Sequence, residues 1–352
     1  RPATSSRGFL KGGGMLKKYE KAGELVSIKG MLKAREAISH YVRPTNLVYY
    51  SEISRLVGCD AFVKHENHMP TGSFKIRGAI NFFHTIPKQN VENGVLVSTR
   101  GNHGLAMAWA ARWFNVPCTV VVPENNNPET NRIIEGFGAE LIVHGQDFYD
   151  AQSFCDELVA SAGYYYVEQG NEPEMLNGVG TMGLEIFEDL SDVDVIICPI
   201  GGGAGCASLL RLAQAVNPAV EIIGVQAERA AAFYQSLQQG DWVVIDQADT
   251  IADGLAARSV FQLPYTIMKD HIKDVVLLSE EEILQGISLA LETTHNLAEG
   301  AGAAPIMAAL KRRDRLQGKK VVLIMTGGNL DRVHLEQALR YSSPLMSSKD
   351  LK

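Results

Sequence analysis

The chain has 352 residues, long for one core and suited to two linked lobes. Its 46% hydrophobic and 21% charged content is that of a soluble globular enzyme, and no apolar run approaches the ~18 residues of a membrane span. A net charge of -7 offers no basic field, which excludes nucleic acid as a partner.

Residues 1–14, RPATSSRGFLKGGG, read as a flexible leader or expression remnant, and no signal-peptide pattern opens the chain. Beyond it, short apolar runs alternate with amphipathic stretches. Strands are expected at 61–66, 94–99, 118–123, 140–145, 164–169, 193–200, 221–226 and 321–328. Their continuous β-branched content suits burial on both faces of a parallel sheet. Helical patterns between them include LAMAWAARWF, NRIIEGFGA, ASLLRLAQAV and EEILQGISLALETTHNLA. This alternation is the α/β signature, and in such sheets ligands bind beyond the carboxyl ends of the strands. The five cysteines (Cys59, Cys118, Cys155, Cys198, Cys206) contain no CxxC pair, which favours free thiols in the cytoplasm. The tail after about Ser343 is polar and expected to be loose.

Four strand-end loops carry the chemistry. The first, TGSFK, follows 61–66. Ser73 can cap the next helix, with Lys75 on its first turn. There the positive end of the dipole and partial burial both disfavour the ammonium, leaving the free amine that a Schiff base requires. The alternative is an amphipathic surface lysine with its stem on the core. The second loop, Ser98 to Gly104, opens a helix whose N–H groups can bind a carboxylate, or is a plain turn capped by Thr99. The third, PIGGGAG from Pro199 to Gly205, has four glycines in five residues and reads as a phosphate cradle. Its rival reading is a near-miss dinucleotide fingerprint, Gly203-x-Gly205-x-x-Ser208, with Glu228 roughly 20 residues on. The fourth, MTGGN from Met325 to Asn329, sets the Thr326 hydroxyl at a strand end, or is a tight turn into a helix near Leu330.

An amine, a carboxylate-binding turn, a phosphate cradle and a neutral hydroxyl are together what pyridoxal phosphate needs. On these residues the chain resembles the threonine dehydratase and serine racemase group of pyridoxal-phosphate enzymes, over about residues 30 to 340. The segments are PTGSFKIRGA, GNHG, GGGAG, TGGN, TIADG at 250–254 and LAEGAGA around Glu299. The resemblance implies the two-lobed tryptophan synthase β-like α/β fold, each lobe a mainly parallel twisted sheet flanked by helices. It implies a large cofactor-binding domain of residues 15–91 and 169–343, a small mobile domain of 92–168, and a loose tail at 344–352. It assigns the Schiff base and the α-proton transfer to Lys75. It sets Phe74, Asn102, Gly201, Gly202, Gly203, Ala204, Gly205, Glu299 and Thr326 around the cofactor, with Asn102 on the ring hydroxyl and Thr326 facing the ring nitrogen. Substrate would be held by Ser73, Thr99, Arg100, Gly101, Asn102 and His103. The activity implied is elimination of water from a β-hydroxy amino acid such as L-threonine or L-serine, giving a 2-oxo acid and ammonia, by a homodimer.

Four departures qualify the resemblance. Arg100 stands where the group usually has a small Ser or Ala, and in the racemases that serine works on the face opposite the lysine. An arginine is no routine proton shuttle. It suits a second carboxylate, as in a 3-hydroxyaspartate, or else points away and pairs with a carboxylate of the other lobe. The positions matching the racemases' cation ligands are Gln226 and Ala232, so no metal is expected there, although Glu228 is near. Thr45-Asn46-Leu47 stands where the group has Thr-Pro. The chain ends near 350 without room for a regulatory domain, so feedback by isoleucine is not expected. The competing functions are a serine or aspartate racemase, a cofactor-binding protein without turnover, and a nicotinamide dehydrogenase that leaves TGSFK unexplained.

Overall fold

The computed structural model describes Tyr19, Lys21, residues 24–146 and residues 148–341. The expected leader at 1–14 and tail at 344–352 lie outside the described residues. Ten strands are described: β1 (Leu47–Tyr49), β2 (Asp60–His65), β3 (Val95–Ser98), β4 (Cys118–Val122), β5 (Glu140–Val143), β6 (Tyr165–Tyr166), β7 (Val195–Pro199), β8 (Glu221–Ala227), β9 (Asp274–Leu278) and β10 (Lys320–Met325). They form a six-stranded sheet in the order β1-β2-β10-β7-β8-β9 and a four-stranded sheet in the order β5-β4-β3-β6. Every pairing is parallel except β1 with β2, where Leu47 faces Lys64 and Tyr49 faces Phe62. The mainly parallel α/β architecture is therefore as expected. The sequence reading missed β1 and β9, both at edges of the larger sheet.

The apolar runs are continuous because both faces of the larger sheet are covered. Along β7, Val195 and Ile197 enter one core while Ile196 and Cys198 enter the other. Along β10, Val321 and Leu323 face the first of these cores and Val322 and Ile324 the second. Period-two alternation with both faces apolar is the mark of a sheet between helix layers.

The strand order is what assembles a site. β2, β10 and β7 are neighbours, so three of the four loops emerge side by side at carboxyl ends. The loop after β2 is tied to the loop after β10: Phe74 N donates to Thr326 O at 3.1 Å, and Gly328 N to Gly72 O at 2.9 Å. The fourth loop, after β3, belongs to the smaller sheet and faces them.

Candidate active site

Lys75 opens the helix Lys75–Thr85. The N-cap position falls on Phe74, with helical dihedrals and no side-chain cap. Ser73 therefore does not cap this helix, contrary to expectation. It is held one residue too early by its antiparallel bridge to Gly327, and its fully buried hydroxyl has no partner among the described residues. Lys75 Nζ donates to Gln169 Oε1 at 3.4 Å and stands 5.3 Å from the Phe74 ring centroid. Desolvation lowers its pKa to about 8, against the opposing pull of the Glu299 charge. Lys75 is thus an enclosed amine rather than a snorkelling surface lysine.

Glu299 sits at the N-cap of the helix Gly300–Lys311. Burial pushes its carboxyl up to about 7, although hydrogen bonds from Asn102 pull the other way. Asn102 Nδ2 donates to both Glu299 oxygens at 2.8 and 3.0 Å. Its Oδ1 accepts from Asn329 Nδ2 at 2.7 Å, and that nitrogen also donates to Thr71 O at 2.8 Å. The amide orientation is assigned from this network. One chain of hydrogen bonds thus joins the loops after β2, β3 and β10.

In the loop after β3, the Thr99 hydroxyl accepts from Gly101 N at 3.0 Å and Gly104 N at 3.2 Å. This is the capping role held open for Thr99. It leaves the N–H groups of Asn102 and His103, which have no acceptor within the helix Asn102–Phe114 that they begin. His103 is buried with Nε2 unpartnered among the described residues. Desolvation, then the Lys75 charge, pull its pKa well below the ordinary value, so the ring is neutral. Arg100 Nε lies 3.0 Å from Asp253 Oδ1, within ion-pair distance but not aligned as a hydrogen bond. It does pair with a carboxylate across the cleft, yet it does not point away, for it lines the same cavity as Lys75.

The glycine loop leads into the helix Ala204–Val216. A Cβ on Gly201 would run into the carbonyl oxygen of Gly254, and Gly203 has φ +93°. Both positions need glycine. At the end of β10 the buried Thr326 hydroxyl lines the cavity and has no partner among the described residues. Gln226, by contrast, has a committed amide. Nε2 donates to Ile200 O at 3.1 Å and Ala230 O at 3.3 Å, and Oε1 accepts from Tyr234 N at 2.9 Å.

These loops surround a cavity of about 1510 Å³, larger than the ~300–1,000 Å³ of common small-molecule sites. Lys75, Phe74, Thr99 to His103, Gly201 to Gly205, Glu299 and Thr326 all line it, whereas the expected substrate residue Ser73 does not. Sequence reasoning gave no role to Gln169, Asp253 or Asn329, although the last two lie in the quoted motifs TIADG and TGGN. The donor set fits pyridoxal phosphate on its own chemistry. A desolvated amine suits the aldehyde, a loop with no room for a Cβ at Gly201, Gly202 or Gly203 suits the phosphate, and an unpartnered neutral hydroxyl suits the ring nitrogen.

A family model described as "Pyridoxal-phosphate dependent enzyme" matches residues 38–327. The chain belongs to this family. Its cofactor is pyridoxal 5'-phosphate. The L-threonine ammonia-lyase of Thermotoga maritima is 34% identical over 307 residues, 87% of this chain and 76% of that protein. The catabolic L-threonine dehydratase of Escherichia coli K12 is 31% identical over 314 residues, covering 89% and 95%. The structure of maize serine racemase superposes with a TM-score of 0.83 at 27% identity, over 89% of this chain and 97% of that one. The dinucleotide reading of the glycine loop falls with this assignment, and Glu228, its candidate ribose ligand, is exposed on a short turn after β8.

Proposed function

We propose that this pyridoxal-phosphate dependent enzyme eliminates water from a β-hydroxy amino acid such as L-threonine or L-serine, releasing a 2-oxo acid and ammonia. The observation that carries the reading is the pairing of one enclosed amine, Lys75, with a neutral hydroxyl, Thr326, in one cavity. The printed activities of the relatives from Thermotoga and Escherichia support it.

Lys75 anchors the cofactor and then, as a free amine, takes the α-proton at Nζ. Gly201 to Gly205 would hold the phosphate, Phe74 would flank the ring, and Asn102 with Glu299 would hold the ring's hydroxyl edge. The cofactor supplies the electron sink for the carbanion. Thr326 would face the cofactor's ring nitrogen with a neutral hydroxyl, which could offer it a hydrogen bond but not the proton of a carboxylic acid. The N–H groups of Asn102 and His103 would hold the α-carboxylate, with Thr99 and Gly101 shaping that end. The water lost at Cβ is returned when the enamine product hydrolyses to 2-oxo acid and ammonia. Racemisation is the poorer reading, because an arginine, no routine proton shuttle, stands at position 100 where a second proton-exchanging group would be needed.

The same reading makes residues 92–168, which contain the smaller sheet, the mobile domain, and 15–91 with 169–343 the cofactor-binding one. It places the protein in the cytoplasm, in keeping with five buried free cysteines, and makes it a homodimer. Sedimentation at two concentrations tests the dimer. The activity is tested by an absorbance spectrum with pyridoxal phosphate, followed by L-threonine and a 2-oxo acid assay. A visible band lost in Lys75→Ala and formation of 2-oxobutyrate are expected. A band that shifts with threonine without 2-oxo acid would refute elimination.

A further inference from the structure

Elimination of water needs no guanidinium, yet Arg100 lines the cavity beside Lys75. Asp253 Oδ1 faces only its Nε edge, at 3.0 Å, and neither Nη nitrogen has a hydrogen-bond partner among the described residues. A guanidinium is a planar fork of five donors that can hold one carboxylate on the Nε edge and a second on its end. Asp253 therefore orients the group and leaves its end open.

The other basic side chains of the cavity are placed differently. Lys75 serves the cofactor. Arg258 lies 4.5 Å over the Tyr149 ring, and its Nε donates to Ile245 O at 3.0 Å. His103 is neutral, and His334 pairs with Asp331 at 2.8 Å. Of the carboxylates lining the cavity, Asp253 pairs with Arg100, Glu299 accepts from Asn102 and Asp331 pairs with His334. A substrate's α-carboxylate has its own donors at the start of the helix Asn102–Phe114. The open end of Arg100 is thus surplus to a monocarboxylate substrate.

We infer that Arg100 is a specificity-determining residue that binds a second carboxylate on the substrate side chain, so the preferred substrate is an acidic β-hydroxy amino acid. This rests on the elimination reading for its turnover but not for its binding, and the test separates the two. The holoenzyme is titrated calorimetrically with L-aspartate and with L-2-aminobutyrate, neither of which carries a β-hydroxyl. Aspartate is expected to bind at least 10-fold tighter, an advantage lost in Arg100→Gln and partly kept in Arg100→Lys. In parallel, the ratio of kcat/KM for L-threo-3-hydroxyaspartate over L-threonine is expected to exceed 10 and to fall at least 50-fold in Arg100→Gln. Equal binding of the two ligands, or an advantage that survives Arg100→Gln, overturns the inference. An aspartate advantage that depends on Arg100 with no 2-oxo acid from either hydroxy amino acid sinks the elimination reading alone. Asp253→Asn serves as the second variant: loss of the orienting charge should weaken aspartate more than 2-aminobutyrate, and equal weakening counts against the inference.

Discussion

A lysine attacks an aldehyde only as the neutral amine, so burial of Lys75 sets the pH at which the apo protein captures its cofactor. With its pKa near 8, the capture rate should rise about 10-fold per pH unit below 8 and level off above it. Stopped-flow absorbance across pH 6 to 10 measures this. A rise that continues to pH 10 would mean an ordinary solvated lysine. Glu299 makes the opposite kind of statement. Its folded value, about 7, is raised above the ordinary 4.5, so its contribution is fully present below pH 4.5 and lost as pH rises through 7. Glu299→Gln should stabilise the apo protein at pH 8 by up to about 3 kcal/mol and give no gain at pH 4, as read by urea unfolding at both. At this scale much was legible in the sequence. Lys75, Asn102, the glycine loop and Thr326 sit at turns whose local residues announce them. Gln169 and Asn329 could not be assigned, because their partners Lys75 and Asn102 lie 94 and 227 positions away. Ser73 was misread as a cap because its bridge to Gly327, on a distant loop, decides its backbone.

The helix Lys75–Thr85 is held by charge as well as by packing. Arg77, fully buried, binds Glu66 at 2.8 and 2.9 Å and Glu185 at 2.6 and 2.8 Å, while Lys64 Nζ reaches Glu185 at 2.7 Å. Two cations and two carboxylates balance, and removing one leaves a buried charge unanswered. Arg77→Met should cost about 3–5 kcal/mol in chemical denaturation. A loss under 1 kcal/mol would show that water reaches the network. The same helix meets Pro173–Asp189 so closely that a Cβ on Gly178 would press on the Arg77 carbonyl and stand 2.8 Å from Gly78 Cα. Gly178→Ala should therefore destabilise by about 1–3 kcal/mol and weaken cofactor affinity, because the wedge acts two residues from Lys75. None of this network was readable in advance, since Lys64 and Glu66 looked like the polar ends of a strand. β9 was missed for a different reason: Ser279 alone separates it from the helix Glu280–Thr294, so its apolar residues read as a lead-in to that helix. β1 is only three residues long, and its pattern carries no period.

Across the molecule, the residues proposed to hold the cofactor come from loops after three adjacent strands of one sheet and from a loop of the other. A ligand that ties them together should raise the melting temperature in proportion to the logarithm of its concentration. Calorimetry with increasing pyridoxal phosphate should show that rise, with a smaller one in Lys75→Ala, where the glycine cradle alone remains. An equal rise in both proteins would mean that the lysine adds nothing to retention. The mainly parallel α/β layout was legible from alternation, and its two lobes from chain length and the family resemblance. The facing of the smaller sheet toward the larger was not, because cross-cleft contacts such as Arg258 N donating to the Tyr149 hydroxyl join residues 109 positions apart.

The larger sheet also has a history written into it. β2, near the start of the chain, pairs with β10, near its end, and β10 lies between β2 and β7. During translation β2 must wait with one edge open while some 250 residues emerge, and the smaller sheet, a contiguous stretch, can form in the meantime. Lys75 gains its neighbour Thr326 only when the last strand leaves the ribosome. A nascent chain that ends before β10 therefore lacks the Thr326 loop and leaves the facing edges of β2 and β7 unpaired, open to pairing with another chain.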